Sequence, residues 1–223
     1  MARIIVLMGA PGAGKGTQGR LLCEHLGWPQ ISTGDILRGM AKEGTPLGHQ
    51  IRDVLASGAL VSDDILAEVV RQRTSREDCK QGYILDGYPR NLNQAQWLDL
   101  WAAEQGNEIL PVYVAVPFDD IIKRLSGRRT CKNCGEIYNI YLKPPKVEGV
   151  CDVCRGELAY RSDDAPETIK RRLEVFEEAT APIVDYYKKT GRFIEVDGRQ
   201  NVENVFEDML EAINRAPSST SSV

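Results

Sequence analysis

The chain lacks the features that mark several large classes of protein. No stretch of its 223 residues approaches 18 consecutive apolar side chains, so a transmembrane helix is excluded. The strand-like run Arg3-Ile4-Ile5-Val6-Leu7-Met8 begins almost at once, which leaves no room for a leader, and a cytoplasmic protein is expected. Cationic excess is also missing: 28 Lys and Arg stand against 32 Asp and Glu, for a net charge of −4. A surface built to coat a polyanion is therefore not expected. Only two histidines are present, His25 and His49, and both lie outside every motif below. At this length one main domain is expected, with room for an inserted lobe. The polar end, residues 217–223, reads as a frayed tail.

What is present begins at residue 9. Gly9-Ala10-Pro11-Gly12-Ala13-Gly14-Lys15-Gly16-Thr17 follows the apolar run directly and leads into a helical pattern over 17–23. Glycines without a Cβ let the backbone curl with its N–H groups turned toward an anion, and Lys15 adds a mobile positive charge. A helix N-terminus behind the loop favours phosphate further. Strand, glycine loop and helix thus occur in P-loop order, with Gly16 between the lysine and the hydroxyl of Thr17.

Short apolar runs recur at 83–85, 110–116 and 193–196, each of strand length. Helical stretches are expected over 62–76, 91–105, 119–125, 167–189 and 202–215. Alternation of this kind predicts an α/β fold with a central parallel sheet covered on both faces. Such sheets hold ligands at the carboxyl ends of their strands, where both the glycine loop and Asp86-Gly87-Tyr88-Pro89-Arg90 fall. A strand-terminal Asp86 can hold magnesium through water or can cap a turn, and the P-loop favours magnesium. Arg90 on a rigid turn suits bidentate phosphate binding.

Together, the glycine loop, Ser32-Thr33-Gly34-Asp35, the 86–90 segment and Gly127-Arg128-Arg129 resemble the adenylate kinases, in their long bacterial form, over nearly the whole chain to about residue 215. The resemblance implies a P-loop nucleoside monophosphate kinase fold. Its core would take 1–31, 62–126 and 165–216, its monophosphate-binding segment 32–61 and its inserted lid 127–164. It implies Mg²⁺-dependent transfer of the ATP γ-phosphoryl group to AMP by a monomer, with ADP as product. ATP would be held by Gly12, Ala13, Gly14, Lys15, Gly16, Thr17, Arg124, Arg128, Ile137, Tyr138 and Gln200. AMP would be held by Thr33, Gly34, Arg38, Ala59, Leu60, Val61, Gly87, Tyr88, Pro89, Arg90 and Gln94, with Arg161 and Arg172 reaching the phosphates. Asp163 and Asp164 would lie near the lid hinge.

Chemistry asks for the same side chains. Bringing two polyanions together and spreading charge over the transferred group requires cations, and Lys15, Arg38, Arg90, Arg124, Arg128, Arg161 and Arg172 supply seven. An acceptor that is already an anionic phosphate needs no general base. Arg124 and Arg128, four apart, share a helical face if the helix persists that far, and the plain alternative pairs that face with Asp119 and Asp120.

Cys131-x2-Cys134 and Cys151-x2-Cys154 have the spacing of a four-thiolate zinc site. The intervening residues are too polar for a core of their own, which a structural zinc ion would replace. Two disulfides are the alternative, disfavoured in a reducing compartment. Cys23 and Cys79 read as buried or half-buried thiols. Two other functions remain open: a kinase for UMP or CMP, and an ATPase whose zinc ribbon binds nucleic acid. The second is disfavoured because the 131–154 segment carries no basic excess. The amide of Gln94, a donor and an acceptor at once, favours adenine as the acceptor base.

Overall fold

The computed structural model describes residues 2–216, so the expected tail at 217–223 lies outside the described residues. β1 (Arg3–Met8) leads through the glycine loop into α1 (Lys15–Leu26). β2 (Gln30–Ser32), α2 (Thr33–Met40), α3 (Pro46–Ser57) and α4 (Asp63–Thr74) follow. Next come β3 (Gly82–Asp86), α5 (Leu92–Glu104), β4 (Glu108–Ala115) and α6 (Phe118–Gly127). Three short strands, β5 (Arg128–Cys131), β6 (Ile137–Asn139) and β7 (Leu158–Ala159), then precede α7 (Pro166–Val175), α8 (Ala181–Lys188), β8 (Ile194–Asp197) and α9 (Val202–Arg215).

Five strands form one parallel sheet in the order β2-β3-β1-β4-β8. Alternation along β1 shows why it is buried on both faces. Ile4, Val6 and Met8 enter one core with residues of α2, α3, α4, α5 and α8, while Ile5 and Leu7 enter a second with Leu22 of α1 and Val205, Met209 and Ile213 of α9. Each such buried Ile or Leu contributes about 2 kcal/mol of hydrophobic stabilisation. The expected strands and the covered parallel sheet are thus found, with ends shifted by one or two residues. β5, β6 and β7 make a separate antiparallel sheet in the order β6-β5-β7.

The sequence expectation omitted α2, α3 and the strands of the small sheet, and three further differences bear on the site. The single helix over 167–189 is interrupted: α7 ends at Val175, Phe176–Thr180 forms a π-helical turn and α8 restarts at Ala181. Pro182 has no N–H to continue the ladder, and the Ala181 N–H bonds instead to the Phe176 carbonyl. The helix before Arg128 stops at Gly127, and Arg128 takes extended backbone at the start of β5. Arg124 and Arg128 therefore do not share a helical face. The third is β2, whose three residues align Ser32 with Asp86 and so bring the start of α2 beside the end of β3.

Candidate active site

Backbone geometry builds the phosphate cradle. Gly14 caps α1 at φ +103°, and Gly12 sits at φ +85° with Leu125 Cγ only 2.7 Å from where a Cβ would stand. A side chain at Gly12 would have to displace Leu125, and at Gly14, where there is open space, the left-handed backbone alone disfavours one. The loop N–H of Ala13 donates to the Ala10 carbonyl, and the Lys15 ammonium folds back to donate to the carbonyls of Gly9 at 2.8 Å and Ala10 at 2.9 Å. Burial holds that ammonium down to about 8, although Asp86 pulls it the other way.

The loop opens into a cleft of about 1000 Å³. All seven of the cations named above line it, together with Asp86. Arg90 is fixed at three points: its Nε donates to the Gly87 carbonyl at 2.8 Å, its N–H to Gln94 Oε1 at 2.7 Å, and its carbonyl accepts from Thr180 Oγ1 at 2.6 Å. Burial first, and then the neighbouring Arg172, lower its guanidinium to about 10. Arg161, whose Nε donates to Thr130 Oγ1 at 2.8 Å, is brought to about 10 by burial and by Arg128 and Arg38. Arg124 donates to the carbonyls of Ala13 and Gly198, and burial lowers it too. The pairing of Arg124 or Arg128 with Asp119 or Asp120 does not occur among the described residues. So dense a set of like charges, with Lys15, Arg90, Arg124, Arg161 and Arg172 each lowered by burial, is a site short of anions.

Two adjacent carboxylates hold part of this array in place. Asp164 is fully buried and accepts from Arg128 Nε at 2.7 Å and Nη2 at 2.5 Å, and from Arg172 Nη1 at 2.9 Å. Asp163 lies 3.3 Å from Arg172 and 3.7 Å from Arg38. Burial would raise the Asp163 carboxyl, but the surrounding arginines overcome this and it lies below its ordinary value. Asp86, by contrast, makes no ion pair among the described residues, and burial raises it. A half-buried carboxylate beside the phosphate cradle, with no cation at ion-pair distance among the described residues, fits water-mediated magnesium.

Gly12 to Thr17, Gly34, Leu60, Gly87, Pro89, Ile137, Tyr138 and Gln200 also line the cleft. Thr33, Ala59, Val61, Tyr88 and Gln94 are not among the residues that line it. The Thr33 hydroxyl donates to the Gly87 carbonyl at 2.9 Å and so supports the turn that carries Arg90. Gln94 is buried with its amide satisfied at both ends, by the Arg90 N–H and by Asp63 Oδ1 at 2.7 Å. Sequence reasoning missed Asp63, and it missed the ion pair of Arg20 on α1 with Glu136 ahead of β6, which ties the small sheet to α1. Neither pairing leaves a spacing signal. His25 and His49 are exposed on helices, as their position outside the motifs suggested.

In the small sheet the four thiols converge. The Sγ atoms of Cys131, Cys134, Cys151 and Cys154 all lie within 4.8 Å of one another. The separations Cys131–Cys154 and Cys134–Cys151 are 3.4 and 3.6 Å, far beyond a disulfide bond and near the edge of a tetrahedron with metal–sulfur bonds of about 2.3 Å. Each pair sits on the same kind of turn, with Gly135 N–H donating to the Cys131 carbonyl and Arg155 N–H to that of Cys151. The buried cluster here is small, comprising Cys131, Tyr138, Cys151 and Leu158, so little apolar surface holds the strands. The donor set fits zinc.

Comparison with known proteins agrees with this geometry. The adenylate kinase family model matches residues 7–192. An adenylate kinase of Thermodesulfovibrio yellowstonii is 48% identical over 95% of this chain and 99% of its own length. Adenylate kinases of Caldicellulosiruptor bescii and Thermosipho melanesiensis are each 46% identical, over 94% and 95% of this chain and 98% and 99% of their own lengths. With the match spanning almost its full length, and with a P-loop and seven cations converging on one cleft, the chain belongs to the adenylate kinase family.

Proposed function

We propose that the protein transfers the γ-phosphoryl group of ATP to AMP, reversibly, giving two ADP. The observation that carries this reading is the convergence of Lys15, Arg38, Arg90, Arg124, Arg128, Arg161 and Arg172 on a single cleft whose ends lie at the P-loop and at the start of α2. Two polyanions fit such a cleft, and the charge of a loose phosphoryl-transfer state is met from several directions at once.

ATP takes the P-loop end, with Gly12 to Thr17 around its phosphates and Arg124, Arg128, Ile137, Tyr138 and Gln200 beside it. AMP takes the other end, against Arg38, Gly87 and Arg90. Thr33 and Gln94 position Arg90 and its turn, and Gln94 meets the base once its amide is released from Asp63. Arg161 and Arg172 bridge the two. Residues 32–61 and 127–164 act as the moving segments over a core of 1–31, 62–126 and 165–216. Closure keeps water from the γ-phosphate and so suppresses hydrolysis. Mg²⁺ enters with ATP, as in adenylate kinases generally, and offsets phosphate charge, with Asp86 holding it through water. Zinc on the four cysteines has a filled thiolate shell and supplies structure alone.

A coupled assay of ADP formation from Mg-ATP against AMP, UMP, CMP and GMP tests class and acceptor together. AMP is expected to be used far better than the others. Turnover with UMP or CMP instead would move the assignment to another monophosphate kinase, and ATP hydrolysis with no acceptor dependence would end it.

A further inference from the structure

One polar side chain outside the four cysteines reaches their cluster. The Tyr138 hydroxyl lies 3.6 Å from Cys151 Sγ, and among the described residues no other side chain beyond the cysteines themselves makes a hydrogen bond to one of these four sulfur atoms. Both partners are buried, Cys151 completely. The direction of the bond follows from the donors present. The Asp152 N–H donates to the Tyr138 oxygen at 2.8 Å, which leaves the single hydroxyl proton for another acceptor. A cysteine that holds a metal ion is a thiolate and can only accept. With the ion bound, the hydroxyl proton therefore goes to Cys151 Sγ.

Tyr138 also belongs to the cleft, which it lines with its β6 neighbours Ile137 and Asn139. Its ring lies 5.5 Å from Lys143 Nζ, and Lys143 donates in turn to Glu136 Oε1 at 2.8 Å. Glu136 pairs with Arg20 on α1, the helix that begins at Lys15. A continuous set of contacts thus runs from a cysteine sulfur to the helix behind the P-loop.

We propose that Tyr138 is a positioning residue shared by two sites: its hydroxyl supports the Cys151 thiolate of the zinc centre, and its ring and strand carry the state of that centre to the ATP end of the cleft. The inference rests on zinc and ATP as the two ligands and adds the residue that joins them. A donor fixed behind a metal-bound thiolate offsets its charge and holds the sulfur in direction, and losing such a partner typically costs about tenfold to a hundredfold in metal affinity. Coupling of this kind is reciprocal, so zinc and ATP should each tighten binding of the other by the same factor.

The test starts from metal-free, full-length protein. Zinc affinity is measured by competition with a chromophoric chelator, for the parent and for Tyr138→Phe. The parent should take up one ion per chain, and the variant should bind it about tenfold more weakly. Cobalt loaded in place of zinc adds a readout that a purely structural hydroxyl would not move: the sulfur-to-cobalt charge-transfer band should shift to longer wavelength in the variant, because the thiolate has lost its hydrogen bond. Equal zinc affinity or an unmoved band overturns the contact. If the variant takes up no metal, the parent decides, with a red shift of tyrosine absorption expected on zinc loading and its absence overturning the contact. No metal uptake by the parent refutes the zinc reading itself. For the link to the cleft, a saturating non-hydrolysable ATP analogue should tighten zinc binding a few-fold in the parent and less in Tyr138→Phe. Zinc affinity that ignores the bound analogue refutes the link and leaves the contact standing, and an analogue that does not bind refutes the ATP reading and not the contact.

Discussion

Asp164 binds Arg128 through both carboxylate oxygens, at 2.7 and 2.5 Å, and is the fully buried anion of the arginine array. It also receives Arg172, so one carboxylate supports two cations that come from β5 and α7.

Asp164→Asn should therefore cost more than a surface pair would. Removing the charge leaves the largely buried Arg128 guanidinium without its anion and Arg172 with Asp163 alone, which is expected to destabilise the fold by about 3–5 kcal/mol. Urea denaturation should show a lower midpoint with an unchanged slope. A variant within 1 kcal/mol or so of the parent would mean that solvent reaches this pair.

The depressed Lys15 ammonium gives a pH dependence of definite sign. Free protein holds Lys15 near 8, whereas a bound phosphate favours the charged form and raises it. Binding of ATP above pH 8 should then take up a proton, and affinity should fall as pH rises from about 8 toward 10. In the folded protein without ligand the same shift works the other way: the unfolded chain binds the extra proton between 8 and 10.5, so this group's penalty on stability is full below 8 and fades as pH rises through that window. Calorimetry of ATP binding at pH 9 in buffers of different ionisation enthalpy measures the uptake. Lys15→Met should abolish it and lower transfer by at least about a hundredfold, with circular dichroism unchanged. Equal heats in all buffers for the parent would contradict the shift.

For the four cysteines, structural and catalytic roles for a metal predict opposite results. Changing Cys131 and Cys134 to Ser should release about one zinc ion per chain and lower the melting temperature, because metal binding in so small a core is folding energy. Transfer at low temperature should largely survive. Folded, metal-free protein that is inactive and regains activity with zinc would show the ion acting nearer the phosphates.

Arg20 and Glu136 join α1 to the small sheet across the mouth of the cleft. Glu136→Gln should raise KM for ATP by a few-fold, an effect of about 1 kcal/mol that weakens at high salt. An unchanged KM at low ionic strength would show that the pair does not help to hold the cleft closed.

Much of this was legible in the sequence because the signals are contiguous. Gly9 to Thr17 needs nine neighbouring residues, and the two cysteine pairs each need four, so local backbone requirements expose them. The parallel sheet followed from strand-sized apolar runs such as 83–85. Other features depend on tertiary placement. β2 has three residues and gains its identity from pairing with β3. The break at Phe176–Thr180 was hidden because apolar helical spacing continues on both sides of Pro182. Arg128 and Asp164 are 36 positions apart, and no spacing rule links them. Gln94 read as a base contact from its chemistry, yet its neighbours Arg90 and Asp63 already use both ends of its amide.

The central claim is that one cleft holds two nucleotides end to end with seven cations around the phosphates between them. Titration calorimetry with a bisubstrate analogue, two adenosines joined through five phosphates, tests it most directly. One analogue should bind per chain, at least about a hundredfold more tightly than either ATP or AMP, and should exclude both. Affinity no better than that of ATP, or continued AMP binding in its presence, would contradict a single two-nucleotide cleft.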